Sequence, residues 1–174
     1  MEHDIKLIDP REFDFAVSKL RAFFRDKMGF VETHVQSGLD ILAACEDPFN
    51  IATFDYAGDV WPMSQTGQMR LEQQLLTDPS LPGLFCVTTS YRQEPDPKPG
   101  RHDLIFPMFE FETHGDMDRL EQLERKLIEF WALIMPGRPL FIGRMMVQRI
   151  GITLRNSLMF MKDVSNRILA MSYS

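Results

Sequence analysis

The sequence predicts an α+β domain, and three observations lead to that prediction. Residues 84–91 are rich in β-branched and aromatic side chains, and a second strand-like stretch ends at residue 112. The turn between them holds three prolines and a glycine, which exclude a helix there. Apolar residues recur at helical spacing on both sides of this hairpin. Together these patterns predict an antiparallel sheet flanked by helices.

The elements before the hairpin are predicted in chain order. A first helix should end near Gly29, a residue suited to a helix C-cap. Residues 30–35 and 50–54 each predict a short strand, and residues 67–76 have helix-forming composition. Asp78-Pro79 and Leu81-Pro82-Gly83 end that second helix. The apolar positions of the first helix are Phe13, Ala16, Val17, Leu20, Phe23 and Phe24.

The hairpin itself carries charges in an apolar setting. Arg92 and Glu94 directly follow the first arm, and on the return arm Phe109 and Phe111 alternate with Glu110 and Glu112. An arginine and several carboxylates on one sheet face suit the binding of a polyanion and a metal. After the hairpin, a last amphipathic helix is predicted over residues 116–131, through Leu120, Leu123, Leu127, Ile128 and Trp131.

Composition indicates one globular domain in the cytoplasm. The chain has 174 residues, of which 44% are hydrophobic and 25% charged, enough to bury a core. No stretch approaches the ~20 apolar residues of a membrane span. The net charge of −6 argues against nucleic-acid binding through general electrostatics. Cys45 and Cys86 lack metal-ligand spacing, so we expect reduced, buried thiols and no protein-held metal site.

The hairpin residues resemble motif 2 of class II aminoacyl-tRNA synthetases, in the branch specific for aspartate, asparagine and lysine. The resemblance runs from Arg92-x-Glu94, through a loop with Arg101-His102, to Phe106 and Glu110-x-Glu112. Two further segments match in the right order. Residues 20–32 are similar to motif 1, and residues 66–72 are similar to the amino-acid-binding segment. The resemblance implies a synthetase-type antiparallel sheet flanked by helices, incomplete at the C-terminus.

The resemblance also implies ATP and magnesium as cofactors and assigns the ATP site. Arg92 would be catalytic, gripping the α-phosphate and the substrate carboxylate. Glu94 would accept from the adenine amino group or orient the loop, and Phe106 would stack on adenine. Arg101 and His102 would reach the β- and γ-phosphates. The alternatives are a surface salt bridge for Arg92, core packing for Phe106, and a solvated ring for His102.

The amino-acid site is implied in the same way. Gln68 would bind the substrate α-amino group, with Glu72 beside it. Glu110 and Glu112 would bind the ammonium or, through water, magnesium. Leu71 stands where the aspartyl branch has a lysine, so an amide or another amino acid suits the site better than aspartate.

Three stretches are predicted along the chain: an extension at 1–14, a partial catalytic core at 15–130, and an atypical tail at 131–174. Residues 130–174 hold six basic residues, one acid (Asp163) and half of the twelve methionines. They lack the glycine-rich motif 3 of the family. One hypothesis is that this tail is read in a shifted frame, because methionine codons shifted by one base yield acidic residues. The alternative is a basic amphipathic helix that covers the sheet or binds an anionic partner.

Departures from the family pattern leave three classes of function open. Gln36 replaces a motif 1 proline at the family's dimer interface, yet a homodimer is expected, with Phe23 and Phe24 supplying apolar surface. No anticodon-binding barrel precedes the core, so tRNA is an uncertain partner beside ATP and an amino acid. The classes are an amino-acid-activating synthetase, a tRNA-independent asparagine synthetase-like ligase, and a catalytically inactive or truncated paralogue that binds nucleotide or a partner.

Overall fold

A computed structural model describes residues 8–35, 49–98 and 103–134 of this chain. The chain divides into two compact units, Met1–His114 and Gly115–Ser174. Several predictions fall outside the described residues: those for Arg101, His102 and Gln36, and those for the tail beyond residue 134.

The first helix, α1, spans Pro10–Arg21. Asp9 caps its start, since the Asp9 carboxylate accepts from the backbone N–H of Arg11 at 2.9 Å and of Glu12 at 3.0 Å. The helix widens into a π-helical turn over Ala22–Lys27. Gly29 then adopts a φ of 72°, which L-residues rarely adopt, and ends the helix as predicted.

The main sheet has three strands in the order β1–β4–β5. They are β1 (Val31–Glu32), β4 (Leu84–Tyr91) and β5 (Ile105–Glu112). Strand β1 runs parallel to β4, while β4 and β5 form the predicted antiparallel hairpin. The helix α2, Gln68–Thr77, comes between the two parts of the sheet in sequence and matches the predicted second helix. The α+β prediction is therefore confirmed, with one parallel pair in the sheet.

The register of the hairpin sorts its side chains onto two faces. Cys86 lies opposite Glu110 and Ser90 opposite Phe106, so even-numbered positions share one face. The odd-numbered face is apolar and packs against the π-helical turn. The Phe24 ring lies 4.7–6.0 Å from three rings of that face, those of Phe85, Phe109 and Phe111. The even-numbered face carries α2 through a cluster of Leu71, Leu75, Leu84 and Cys86.

Pro107 is tolerated inside β5 because of its position in the hairpin register. The Arg92 N–H donates to the Leu104 carbonyl at 2.7 Å, which makes that pair hydrogen-bonded. Pairing alternates every second residue in an antiparallel ladder, so the missing N–H of Pro107 faces away from β4. A proline at such a position removes no bond of the hairpin.

A second hairpin differs from what the sequence predicted. A strand was expected at residues 50–54; the structure has β2 at Thr53–Tyr56 and pairs it with β3 at Asp59–Pro62. Ala57 and Gly58 have φ values of 53° and 88°, the conformation of a tight hairpin turn. Strand β3 was missed because Asp59 and Pro62 are poor strand formers.

The described part of the second unit contains α3, Met117–Ile134, close to the predicted bounds. Asp116 caps its start by accepting from the Arg119 N–H at 3.1 Å. Leu123, Leu127 and Trp131 are buried, as the helical spacing predicted. In the part of the chain that the structure describes, no helix is both long and apolar enough to cross a bilayer.

One expectation about the surface was wrong. Phe23 and Phe24 were expected to leave apolar surface for a dimer, but their exposed fractions are 1% and 0%. The physical reason is that both residues continue the helical spacing of the buried residues of α1, so their rings face the core, where they pack edge to face at 5.1 Å.

Candidate functional site

Arg92 and Phe106 come together at the turn end of the hairpin. The Arg92 guanidinium carbon lies 5.8 Å from the centre of the Phe106 ring, within reach of a cation–π contact. Both residues are half-buried, and both belong to the even-numbered face. A guanidinium held against a partly exposed ring can offer its donors to a phosphate, and the ring can take a second flat group.

A buried polar segment, Ser64–Gly67, runs along the same face. All four residues are buried, and Gln65 is 1% exposed. At one end the Tyr91 N–H donates to the Ser64 carbonyl at 2.9 Å. In the middle the Ser90 hydroxyl donates to the Gln65 carbonyl at 2.7 Å. These bonds satisfy a stretch of backbone that has no regular partner strand.

The far end of this segment is held by Glu110. One oxygen of the Glu110 carboxylate accepts from the Thr66 hydroxyl. The other accepts from the Gly67 N–H at 2.7 Å and from the Thr88 hydroxyl at 2.9 Å. The side chain is only 5% exposed. A buried carboxylate with three donors is well satisfied, and its charge suits the N-terminus of α2.

Gly67 is tightly enclosed where the segment meets the sheet. A Cβ at this position would lie 3.0 Å from the Cys86 sulfur, the Glu110 carboxylate and the Val35 side chain. Burial, and then the negative charges of Glu110 and Glu32, raise the pKa of the Cys86 thiol. Cys86 is therefore a neutral packing residue here, in agreement with the buried, reduced thiol that we expected.

Gln68 begins α2 directly after this segment. Its N–H donates to the Thr66 hydroxyl oxygen at 3.1 Å, and its side chain is half-buried. Glu72 lies one turn further on and is exposed. Leu71 is 0% exposed within the apolar cluster, so its position faces the core and not a ligand.

The structure separates the other predicted residues along the hairpin. Glu94 is exposed beyond the end of β4. Glu112 is half-buried opposite Leu84, at the end of the hairpin away from the turn. It lies six residues along β5 from Phe106, which is about 20 Å of strand. Glu112 is therefore remote from the contact between Arg92 and Phe106.

Sequence reasoning missed the hydroxyls that build the site. Thr66, Thr88 and Ser90 each bond a group of the buried segment or of Glu110. The signal that was available is the two-residue period of a strand, which puts Thr88 and Ser90 on the same face as each other. Within residues 8–35, 49–98 and 103–134, no group of three or more His, Cys, Asp or Glu side chains is placed to hold a metal ion.

Neither a family model nor a curated protein matches this chain. Solved structures do match it. One is asparaginyl-tRNA synthetase from Pyrococcus horikoshii complexed with asparaginyl-adenylate, with a TM-score of 0.55 and 19% identity over 71% of this chain and 28% of that chain. Another is asparaginyl-tRNA synthetase from Entamoeba histolytica in complex with asparaginyl-adenylate, with a TM-score of 0.59 and 18% identity over 79% of this chain and 29% of that one.

These matches confirm the fold that the motif resemblance implied. The chain has the fold of a class II synthetase catalytic core, of the kind found in asparaginyl-tRNA synthetases. It spans 28–29% of the length of these two structures.

Proposed function

We propose that this chain binds ATP and an amino acid in the manner of class II synthetases, for the formation of an aminoacyl-adenylate. The observation that carries the proposal is the contact between Arg92 and Phe106, on the face that also holds the segment leading to Gln68. One end of this face offers a cation and an aromatic ring, and the other offers the side chain of Gln68, whose main-chain N–H is held by Thr66.

Each of these groups has a task in that chemistry. The substrate carboxylate attacks the α-phosphorus of ATP, and the bond to pyrophosphate breaks as the acyl–phosphate bond forms. Negative charge grows on the phosphate oxygens, where the planar Arg92 guanidinium can donate two hydrogen bonds. Phe106 would stack on adenine, and Glu94 would bind its amino group. Gln68, with Glu72 beside it, would select the amino acid.

Magnesium would supply further charge compensation on the phosphates when bound. Glu110 does not fit a direct magnesium contact, because both of its oxygens already accept bonds from the chain. Glu112 is also too far away for this task, at about 20 Å of strand from Phe106. Glu94 is the predicted carboxylate that remains, and Arg101 with His102 would add positive charge on the outer phosphates.

The first test measures ATP binding by calorimetry in wild type, Arg92→Ala and Arg92→Lys. We expect Arg92→Ala to abolish measurable binding. Arg92→Lys should restore little, because one ammonium cannot make the two-pronged contact. Arg125→Ala is the matched control, since Arg125 is exposed on α3 and donates to its helix neighbour Glu121. Equal affinity in wild type and Arg92→Ala would overturn the assignment.

The second test is ATP–pyrophosphate exchange with each amino acid. We expect exchange near background, because residues 130–174 contain one acid and no glycine-rich motif 3. If the coding DNA contains the family's tail in another reading frame, restoring that frame should raise the rate of exchange. Strong exchange by the 174-residue chain would contradict this. It would mean that Arg144, Arg149 or Arg155 has taken the role of the missing motif 3 arginine.

The exchange assay separates the two enzymatic functions from the inactive paralogue, and tests of tRNA and ammonia dependence separate the two enzymes from each other. Exchange followed by tRNA charging identifies a synthetase, whereas exchange with ammonia-dependent amide formation identifies an asparagine synthetase-like ligase. ATP binding without exchange identifies a nucleotide-binding paralogue.

We also propose a homodimer, with an interface that does not include the buried side chains of Phe23 and Phe24. Sedimentation as a monomer at high micromolar concentration would contradict the dimer.

A further inference from the structure

We infer that Glu110 is a positioning residue. It acts through the Thr66 hydroxyl to fix the main chain of Gln68, and so the place from which the Gln68 side chain reaches the amino acid. Glu110 does not itself touch the amino acid. This inference rests on the proposed function. It assigns to Glu110 a different task from the ammonium contact that the motif resemblance implied.

The first step is the saturation of the carboxylate. A carboxylate has about four lone-pair sites. Three donors of the chain occupy Glu110, namely the Thr66 hydroxyl, the Gly67 N–H and the Thr88 hydroxyl. With 5% of the side chain exposed, a substrate ammonium has little access to the remaining site.

The second step is the direction of the Thr66 hydroxyl. A hydroxyl has one proton to donate and two lone pairs that accept. Glu110 takes the proton, so a lone pair of the same oxygen is left to accept from the Gln68 N–H at 3.1 Å. The carboxylate therefore fixes the hydroxyl, and the hydroxyl fixes the first residue of α2.

The third step separates this end of the segment from the other. Ser64 and Gln65 are held by Tyr91 and Ser90, through bonds that do not involve Glu110. Loss of the Glu110 charge should thus loosen Gln68, while Ser64 and Gln65 stay bonded to β4 beside Arg92. The effect expected is a selective loss on the amino-acid side of the site.

The experiment uses the full chain and two probes, a non-hydrolysable ATP analogue and a sulfamoyl analogue of asparaginyl-adenylate, titrated calorimetrically well below the melting temperature. The variants are Glu110→Gln, Thr66→Val and Thr66→Ser. We expect the first two to weaken the sulfamoyl probe about tenfold, the usual scale for a hydrogen bond to a charged group. The ATP analogue should be unaffected, and Thr66→Ser should retain the affinity because it keeps the hydroxyl.

Matched controls are Glu121→Gln, which removes an exposed carboxylate from α3, and Thr77→Val, which removes an exposed hydroxyl at the end of α2. Neither should change either affinity.

The outcomes distinguish this inference from the proposed function. Unchanged sulfamoyl affinity in Glu110→Gln and Thr66→Val overturns the positioning role while the proposed function stands. Equal loss of both probes, or failure of Thr66→Ser to retain affinity, also overturns it, because general damage to the fold would then explain the result. A wild type that binds neither probe overturns the proposed function, and the inference falls with it.

Discussion

The two faces of the β4–β5 hairpin take alternate residues of the same two strands and have different tasks. On the odd-numbered face, Phe85 and Phe109 stack at 5.4 Å and enclose Phe24, with no charged side chain of these strands among them. On the even-numbered face, Glu110 organises a buried polar segment instead. The alternation of a strand thus allows one hairpin to stabilise the domain and to build a site. Substitutions on the two faces should therefore have separable effects.

The largest expected effect is on the apolar face. Phe24 is 0% exposed and contacts four other rings of the core besides Phe23. Phe24→Ala should lower the free energy of unfolding by about 3–5 kcal/mol, through lost burial and the cavity that remains. Urea unfolding followed by circular dichroism measures this change. Phe49→Ala, at a side chain that is 92% exposed, should be nearly neutral. A loss below about 1 kcal/mol in Phe24→Ala would show that this face is not the main source of stability.

The second prediction concerns Cys86, on the even-numbered face. Burial, followed by the charges of Glu110 and Glu32, raises the pKa of this thiol above its ordinary value of 9.0. The folded state therefore keeps the thiol proton at a pH where the unfolded chain loses it. Its contribution to stability is complete below pH 9.0 and declines as the pH rises above that value. The decline should reach at most about 1.4 kcal/mol per pH unit.

Urea unfolding of wild type and Cys86→Ala between neutral and alkaline pH measures this decline. Other titrating groups are common to both proteins, so the difference between the two slopes isolates the thiol. Parallel slopes above pH 9.0 would mean that the folded thiol ionises as easily as the unfolded one.

These two faces also show what sequence could predict. The helix ending at Gly29, the antiparallel hairpin and the amphipathic helix after it follow from local periodicity and turn residues, and the structure has all three. The bonding of Glu110 does not follow from them. Its partner Gly67 lies 43 residues earlier, and their approach depends on the path of an irregular segment. The inward direction of Phe23 follows from its helical spacing, and the wrong expectation of exposed surface came from the family's dimer interface and not from that spacing.

The third prediction is a smaller loss of stability on the polar face. Gly67→Ala places a Cβ 3.0 Å from three neighbours, each of which must move by a few tenths of an ångström. We expect about 1 kcal/mol of destabilisation, the lower range for overpacking. The same substitution should weaken the sulfamoyl probe more than the ATP analogue, because it disturbs the Gly67 N–H bond to Glu110. A loss of stability as large as that of Phe24→Ala would erase the distinction between the faces.

The smallest expected effect is at the charged rim of the apolar face. The Arg21 guanidinium holds Glu32 through its Nε at 3.0 Å and its Nη2 at 2.8 Å, and Arg25 bonds the same carboxylate. Arg21→Lys keeps the charge but loses the two-pronged geometry. Because the Arg21 side chain is 42% exposed, water and salt screen the pair, and Arg25 still neutralises Glu32. We expect a loss of about 0.5 kcal/mol in the free energy of unfolding that shrinks further at high salt. Urea unfolding at low and high salt would detect it, and a loss above about 2 kcal/mol that salt does not change would show that the rim supports the aromatic packing beneath it.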